Sequence, residues 1–254
     1  MACLYGASIF VNMSEGFHFK RFYVRHERCA MKVGTDGVLL GALAAGPSSP
    51  HLVLDTEPSP HVLDIGTGSA LCSLMMAQRF PQSLIIGIDV DNDACRQAEE
   101  NVSQSPFKDR ITIKHTSLQD FRNESRQFDS IICNPPFFEE SLQCPDIQRN
   151  TARHTTSLPY STLISRCKEL LSPEGTLTII IPTLAVNRIE EECALYSLFI
   201  VRRLHIKTTE NKRPKRTLLY IRHHPAPIVT STHTLTEGGE RSEWYAEITK
   251  DFYL

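Results

Sequence analysis

Two short segments carry side chains whose type and spacing suit them to chemistry. The first is Asp64-Ile65-Gly66-Thr67-Gly68-Ser69, which follows the apolar run HVLDI. Glycines let a ligand approach the backbone, and a helix start offers free N–H groups. Asp89 stands about 20 residues further on, where a carboxylate can take ribose hydroxyls. A dinucleotide would want a third glycine, and Leu71 occupies that position. S-adenosylmethionine has no pyrophosphate to cradle and carries an ammonium group that Asp64 can meet, so it suits this loop better. The plain alternative is a tight strand-to-helix turn in which Asp64 caps the helix.

The second segment is Asn134-Pro135-Pro136-Phe137, directly after the apolar run FDSIIC. Consecutive prolines stiffen the backbone and remove its N–H donors. The Asn134 amide oxygen and the Pro135 carbonyl can each accept one hydrogen of a planar amino group. Phe137 can stack on the ring that carries it. Such a grip turns the amino nitrogen towards an electrophile, and the sulfonium methyl of S-adenosylmethionine is one. In-line attack makes catalysis mostly positioning. The plain alternative is a proline-stiffened loop.

Both segments need a strand behind them, and the pattern supplies strands. Apolar runs at 61–65, 84–88, 110–115, 128–133 and 176–182 alternate with helical periods at 70–79, 92–104, 159–171 and 187–197. Ala94, Cys95 and Ala98 share one helical face. Strands alternating with helices predict a doubly wound, mostly parallel α/β sheet. LFIVRRLHIK and KRTLLYIRHH, joined by a basic loop, predict an antiparallel hairpin at one edge. Seven strands are expected. Residues 1–16 read as a tail, and 17–254 as a single domain whose first part, 17–46, forms a substrate- and cofactor-binding element. The first residues have no basic stretch ahead of their apolar one, unlike a secretory signal.

DIGTGSA at 64–70, GIDVD at 87–91 and NPPF at 134–137 together resemble the Rossmann-like class I methyltransferases that act on planar amino groups. Within these, MKVGTDGVLLGALA at 31–44, QRNTARHTTSLPYSTLI at 148–164 and NKRPKRTLLYIRH at 211–223 resemble one bacterial family along nearly the whole chain. These are the tRNA (adenine-N6)-methyltransferases that modify the adenosine 3′ to the anticodon of a valine tRNA. The resemblance implies S-adenosylmethionine as donor. It sets Lys32 to Asp36 against the donor's methionine end, with Thr35 as the polar contact. Gly66 and Gly68 then give backbone contacts, Asp89 takes the ribose and Val90 packs on the donor adenine. Ser117 and Leu118 stand where many relatives have an acid and an apolar residue at the adenine amino group. Here Ser117 replaces the acid, and Asp120 is the reserve candidate. Asn134, Pro135 and Phe137 hold the target base, and Arg153 and His154 are candidates for the phosphate beside it.

The formal net charge of −2 hides a strong asymmetry. Residues 201–224 carry eight basic residues against Glu210, a net +7, and residues 17–32 a net +4, leaving −13 elsewhere. The second run interleaves with Phe17, Phe19, Phe22 and Tyr23. Charged runs also protect sheet edges. Flanking base-methylation motifs, they suggest an RNA track, with Lys32, Lys212, Arg213, Lys215 and Arg216 as its candidates. The eight cysteines form no C-x-x-C pair and no zinc spacing. They read as reduced core residues of a cytoplasmic protein, with no metal and no membrane span expected, and as a monomer. Three other readings have identifiable requirements. A glutamine-N5 methyltransferase of a release factor would need an N-terminal helical domain. A guanine-N2 ribosomal RNA enzyme shares the NPP signature. A non-catalytic RNA-binding protein would not need these loops intact.

Overall fold

The computed structural model describes residues 16–47, 59–123, 126–135 and 158–254. Its centre is a nine-stranded sheet in the order β11-β10-β8-β9-β7-β6-β3-β4-β5. The parallel strands are β3 (His61–Ile65), β4 (Leu84–Asp89), β5 (Ile111–His115), β6 (Phe128–Cys133) and β7 (Leu171–Pro182). β9 (Arg216–Arg222) runs antiparallel between β7 and β8 (Phe199–Thr209). β8 therefore points the same way as β7, and β10 (Val229–Glu237) lies parallel to β8. β11 (Glu240–Arg241) closes that side.

Successive side chains of a strand face opposite sides, and both sides of this sheet are covered. Val62, Ile85, Ile132 and Ile180 pack beneath α1 (Thr35–Leu43), α2 (Leu71–Arg79) and α3 (Asn92–Ser103). Leu63, Ile131, Ile179 and Ile181 pack beneath α4 (Tyr160–Leu170) and α5 (Val186–Leu195). The doubly wound arrangement expected from the pattern is present. The β8–β9 hairpin forms as expected, but it is not the edge. β10 and β11 add two strands beyond the expected seven, and α6 (Glu243–Thr249) folds back with Tyr245 in the core.

β7 also begins earlier than the turn residues suggest. Leu171 already pairs with Phe128, and the next pair is Ser130 with Thr176. Pro173-Glu174-Gly175 is thus an irregularity within the strand rather than a turn before it.

The N-terminal segment forms a hairpin of β1 (Gly16–His18) and β2 (Tyr23–Arg25). Phe19 and Phe22 are buried core rings, and Phe17 packs against them. Arg28 pairs with Glu100 at 2.7 Å. Arg21 lies over the Phe107 ring, and Lys20 donates to the Lys250 carbonyl. Phe19 and Phe22 are thus core rings, while Lys20, Arg21 and Arg28, all exposed, each have a partner within the chain. Alternation of aromatic and basic residues looks the same for a docking surface and for a hairpin that packs one face and wets the other.

Candidate active site

Parallel strands bring their carboxyl ends to one edge, and there a doubly wound sheet offers its crevice. β3 delivers the glycine turn to this edge, β4 delivers Asp89, β5 is followed by Ser117, and β6 by Asn134. Because β9 is antiparallel, the β8–β9 loop carrying Lys212, Arg213 and Lys215 reaches the same edge.

Gly66 and Gly68 have φ of 68° and 53°, values that side-chain-bearing residues avoid. A Cβ added at Gly66 would meet nothing within 4 Å, so open space lies over the turn. The backbone is held from below: the Gly66 and Thr67 N–H groups donate to the Ile88 carbonyl at 2.9 and 3.0 Å. The Gly68 N–H donates to Asp89 Oδ2 at 2.9 Å, while Asp89 Oδ1 accepts from Asp91 N–H at 3.0 Å. A carboxylate has about four acceptor sites. Asp89 thus clamps the turn and keeps capacity for two hydroxyls. Val90, next to it, is 55% exposed and offers a bare apolar face.

Asp64 is buried on the α2 side of β3. Its Oδ2 accepts from Thr67 Oγ1 at 2.8 Å, Ser73 Oγ at 2.7 Å and Ser73 N–H at 3.1 Å. The acid therefore ties the first turn of α2 to the strand, as the capping alternative requires. Burial pushes its carboxyl up to about 6, against the three hydrogen bonds that pull it down. Its negative charge is thus partly suppressed at mildly acidic pH.

At the end of β5, Ser117 Oγ donates to Asp120 Oδ2 at 2.6 Å and accepts from the Asp120 N–H at 3.1 Å. This closed turn holds the Asp120 carboxylate beside Ser117. The Leu118 side chain is buried in the core on the α4–α5 side of the sheet.

Asn134 follows β6 directly, and Pro135 is buried. The Asn134 Oδ1 atom is buried and has no hydrogen-bond partner among the described residues. Buried acceptors normally find a donor, so this one is suited to a ligand's N–H. Phe137, Arg153 and His154 lie outside the described residues.

Thr35 opens α1, and both it and Lys32 are exposed. Arg216 Nε reaches Asp36 Oδ2 at 2.7 Å, fixing the start of α1 against β9. It is a holding residue rather than a free cation. Three functional contacts escaped the sequence reading. Ser73 is one. Asn101, buried in α3, bonds the Arg25 N–H, the Arg25 carbonyl and the Ser69 carbonyl, joining the hairpin to the glycine turn. His26 is buried too. Its Nδ1 accepts from Val33 N–H at 3.3 Å, and its Nε2 has no partner among the described residues. Burial, then Lys32, hold its pKa below the usual value. Position gave a signal for Asn101 alone: with Ala94 and Ala98 it falls on the apolar stripe of α3.

Sheet order, glycine turn and Asn-Pro together are those of the class I methyltransferases. The profile of the methyltransferase small domain family matches residues 51–188. A tRNA1(Val) (adenine(37)-N6)-methyltransferase of Parabacteroides distasonis is 42% identical over 242 residues, covering 94% of this chain and 97% of that protein. One of the same name from Mannheimia succiniciproducens is 38% identical over 244 residues, covering 95% of each. The chain belongs to this family of tRNA1(Val) (adenine(37)-N6)-methyltransferases. A predicted O-methyltransferase of Agrobacterium tumefaciens shares the fold, with a TM-score of 0.63 at 16% identity over 85% of this chain and 96% of that one.

Proposed function

We propose that the protein transfers a methyl group from S-adenosylmethionine to the exocyclic N6 of an adenosine in the anticodon loop of a valine tRNA. The observation that carries this reading is the 42% identity to a tRNA1(Val) (adenine(37)-N6)-methyltransferase over nearly all of both chains. The site agrees with it. Open space over Gly66, spare acceptor capacity on Asp89 and the bare face of Val90 fit turn, ribose and adenine of the donor. The Asp120 carboxylate, steadied by Ser117, takes the place of the acid at the donor's adenine amino group. Thr35 and Lys32, at the start of α1, lie on the methionine side.

The donor supplies an electrophilic methyl on a sulfonium. The chain's own residues do the rest by placement. Asn134 Oδ1 and the Pro135 carbonyl each accept one hydrogen of the adenine amino group, turning its nitrogen lone pair towards the methyl carbon. As the N–C bond forms and the S–C bond breaks, the nitrogen becomes acidic and gives its proton to water. No strong base is needed. Phe137 is assigned to the face of the target base, and Arg153 and His154 to its phosphate. Lys212, Arg213 and Lys215 supply the cationic edge for the RNA backbone.

The glutamine-N5 alternative wanted an N-terminal helical domain, whereas residues 16–47 form a two-stranded hairpin and one nine-residue helix. No described helix is long and apolar enough to cross a membrane. The six described cysteines are unpaired and five of them are buried. We take the protein to act as a monomer in a reducing cytoplasm. The test is incubation of tRNA with labelled donor followed by mass spectrometry of its nucleosides. Label in N6-methyladenosine is expected. Label in guanosine, in protein or nowhere overturns the reading.

A further inference from the structure

At the carboxyl edge of the sheet, β7 stops at Pro182 and the chain turns through Thr183–Ala185 into α5. This turn is fastened to the neighbouring hairpin. The Thr183 N–H donates to the Lys215 carbonyl at 3.1 Å. Thr183 Oγ1 lies 3.1 Å from Thr217 Oγ1, which is 2.9 Å from His205 Nδ1. Ala185 packs on the core. In the middle of this held turn, Leu184 is 98% exposed, more than any other large apolar side chain among the described residues.

Single exposed apolar residues are ordinary on protein surfaces, so the place of Leu184 matters. Leu84, Phe199 and Val229 begin their strands, and Leu195 ends α5, so all four lie at the opposite edge of the sheet. Leu184 lies at the site edge. On one side stand Lys212, Arg213 and Lys215, exposed and without an ion pair among the described residues. On the other is the end of β6: Cys133 pairs with Ile179, and Asn134 comes next. Three strand steps and two turn residues carry the chain from Ile179 to Leu184, about 14 Å at most. That is the span of a nucleotide and its neighbour.

We propose that Leu184 is an apolar finger that packs on the nucleobase adjacent to the target adenosine and fills the stacking place the target vacates on turning towards Asn134. The inference rests on the tRNA reading above. Its physical basis is a division of labour. The lysines and the arginine hold phosphates, which carry no stacking energy. A base whose neighbour has left the stack exposes a flat apolar face, and aliphatic wedges are suited to cover it. A turn held by two hydrogen bonds and a packed alanine keeps the wedge from collapsing onto the protein.

The test uses the full chain and a valine tRNA carrying 2-aminopurine at the target position, whose fluorescence rises on unstacking. With the unmodified protein a rise is expected. Leu184→Ala is expected to cut that rise severalfold and, with the adenosine-containing tRNA, to lower kcat/KM about tenfold. Donor affinity by calorimetry and Tm should stay unchanged, because the side chain is exposed. Leu184→Met should restore most of the loss, and Leu195→Ala at the opposite edge should have no effect. Lys215→Ala should instead flatten the salt dependence. Wild-type fluorescence and kcat/KM in Leu184→Ala overturn the inference, as does an equal loss in Leu195→Ala, or a loss traced to a broken dimer by light scattering. If the unmodified protein methylates no tRNA, the functional reading itself falls, which is a distinguishable result.

Discussion

Asn134 and Asp64 are the two side chains whose chemistry is most exposed to test, and they differ in kind. Asn134 presents a buried acceptor with no partner among the described residues. On the proposed reading, replacing it with alanine removes an acceptor for the base, and no described hydrogen bond to that oxygen is lost. Asn134→Ala should lower kcat by about a hundredfold or more, with donor affinity by calorimetry unchanged. Equal loss of both would remove its assigned role. Asp64 is the reverse case, engaged with Thr67 and Ser73 and pushed up to about 6 by burial. Because its folded value lies above the ordinary carboxylate value, the folded state binds more protons between about pH 4 and 6. Its contribution to stability is present below pH 4 and is lost as pH rises through about 6. Relative to Asp64→Asn, the native protein should lose about 3 kcal/mol across that window in denaturant titrations. A nearby ammonium favours the ionised acid, so donor affinity should weaken as pH falls below about 6.

Among the elements, legibility followed burial. Strands buried on both faces appear in the sequence as apolar runs, and β3, β4 and β6 lie where HVLDI, LIIGI and FDSIIC put them. β10 has no such signature. VTSTHTLTE presents no fully buried position, because the strand lies near the edge and is covered only in part. Nothing in its period separates it from a polar loop. The glycine turn was legible, but what holds it was not, since Ser73 and Asn101 act across distances no local motif records. Asn101 makes three hydrogen bonds to the backbone of Arg25 and Ser69. Asn101→Leu should destabilise the protein by about 3 kcal/mol in urea unfolding, with weakened donor binding because the glycine turn loses its tie to β2. Unchanged stability would show that the turn stands without the hairpin.

Over the whole molecule, the charge asymmetry resolves into a smaller working set. Of the basic residues at 201–224, Arg203 pairs with Glu190, Arg216 with Asp36, Arg222 donates to Thr176 and Arg202 lies over Tyr220. Composition counts these cations alike, and only the structure separates those with a partner in the fold from Lys212, Arg213 and Lys215. Each of these three, changed to alanine, should reduce the slope of log affinity for tRNA against log salt by about 0.7–0.9. The same change at Arg216 should instead disturb donor binding through Asp36.

The N-terminal hairpin is stitched to distant sequence: the Lys20 N–H donates to the Phe252 carbonyl and Lys20 Nζ to the Lys250 carbonyl, 230 positions later. Phe19 stacks on the Tyr253 ring. Contacts this far apart form late, because loop-closure entropy must be met first. During synthesis the hairpin therefore waits for α6 to leave the ribosome. A nascent chain stalled before residue 243 would hold most of its sheet but lack the partner of the hairpin that Asn101 joins to the glycine turn. Emergence of the segment 243–253 thus becomes a condition for a fully braced donor site.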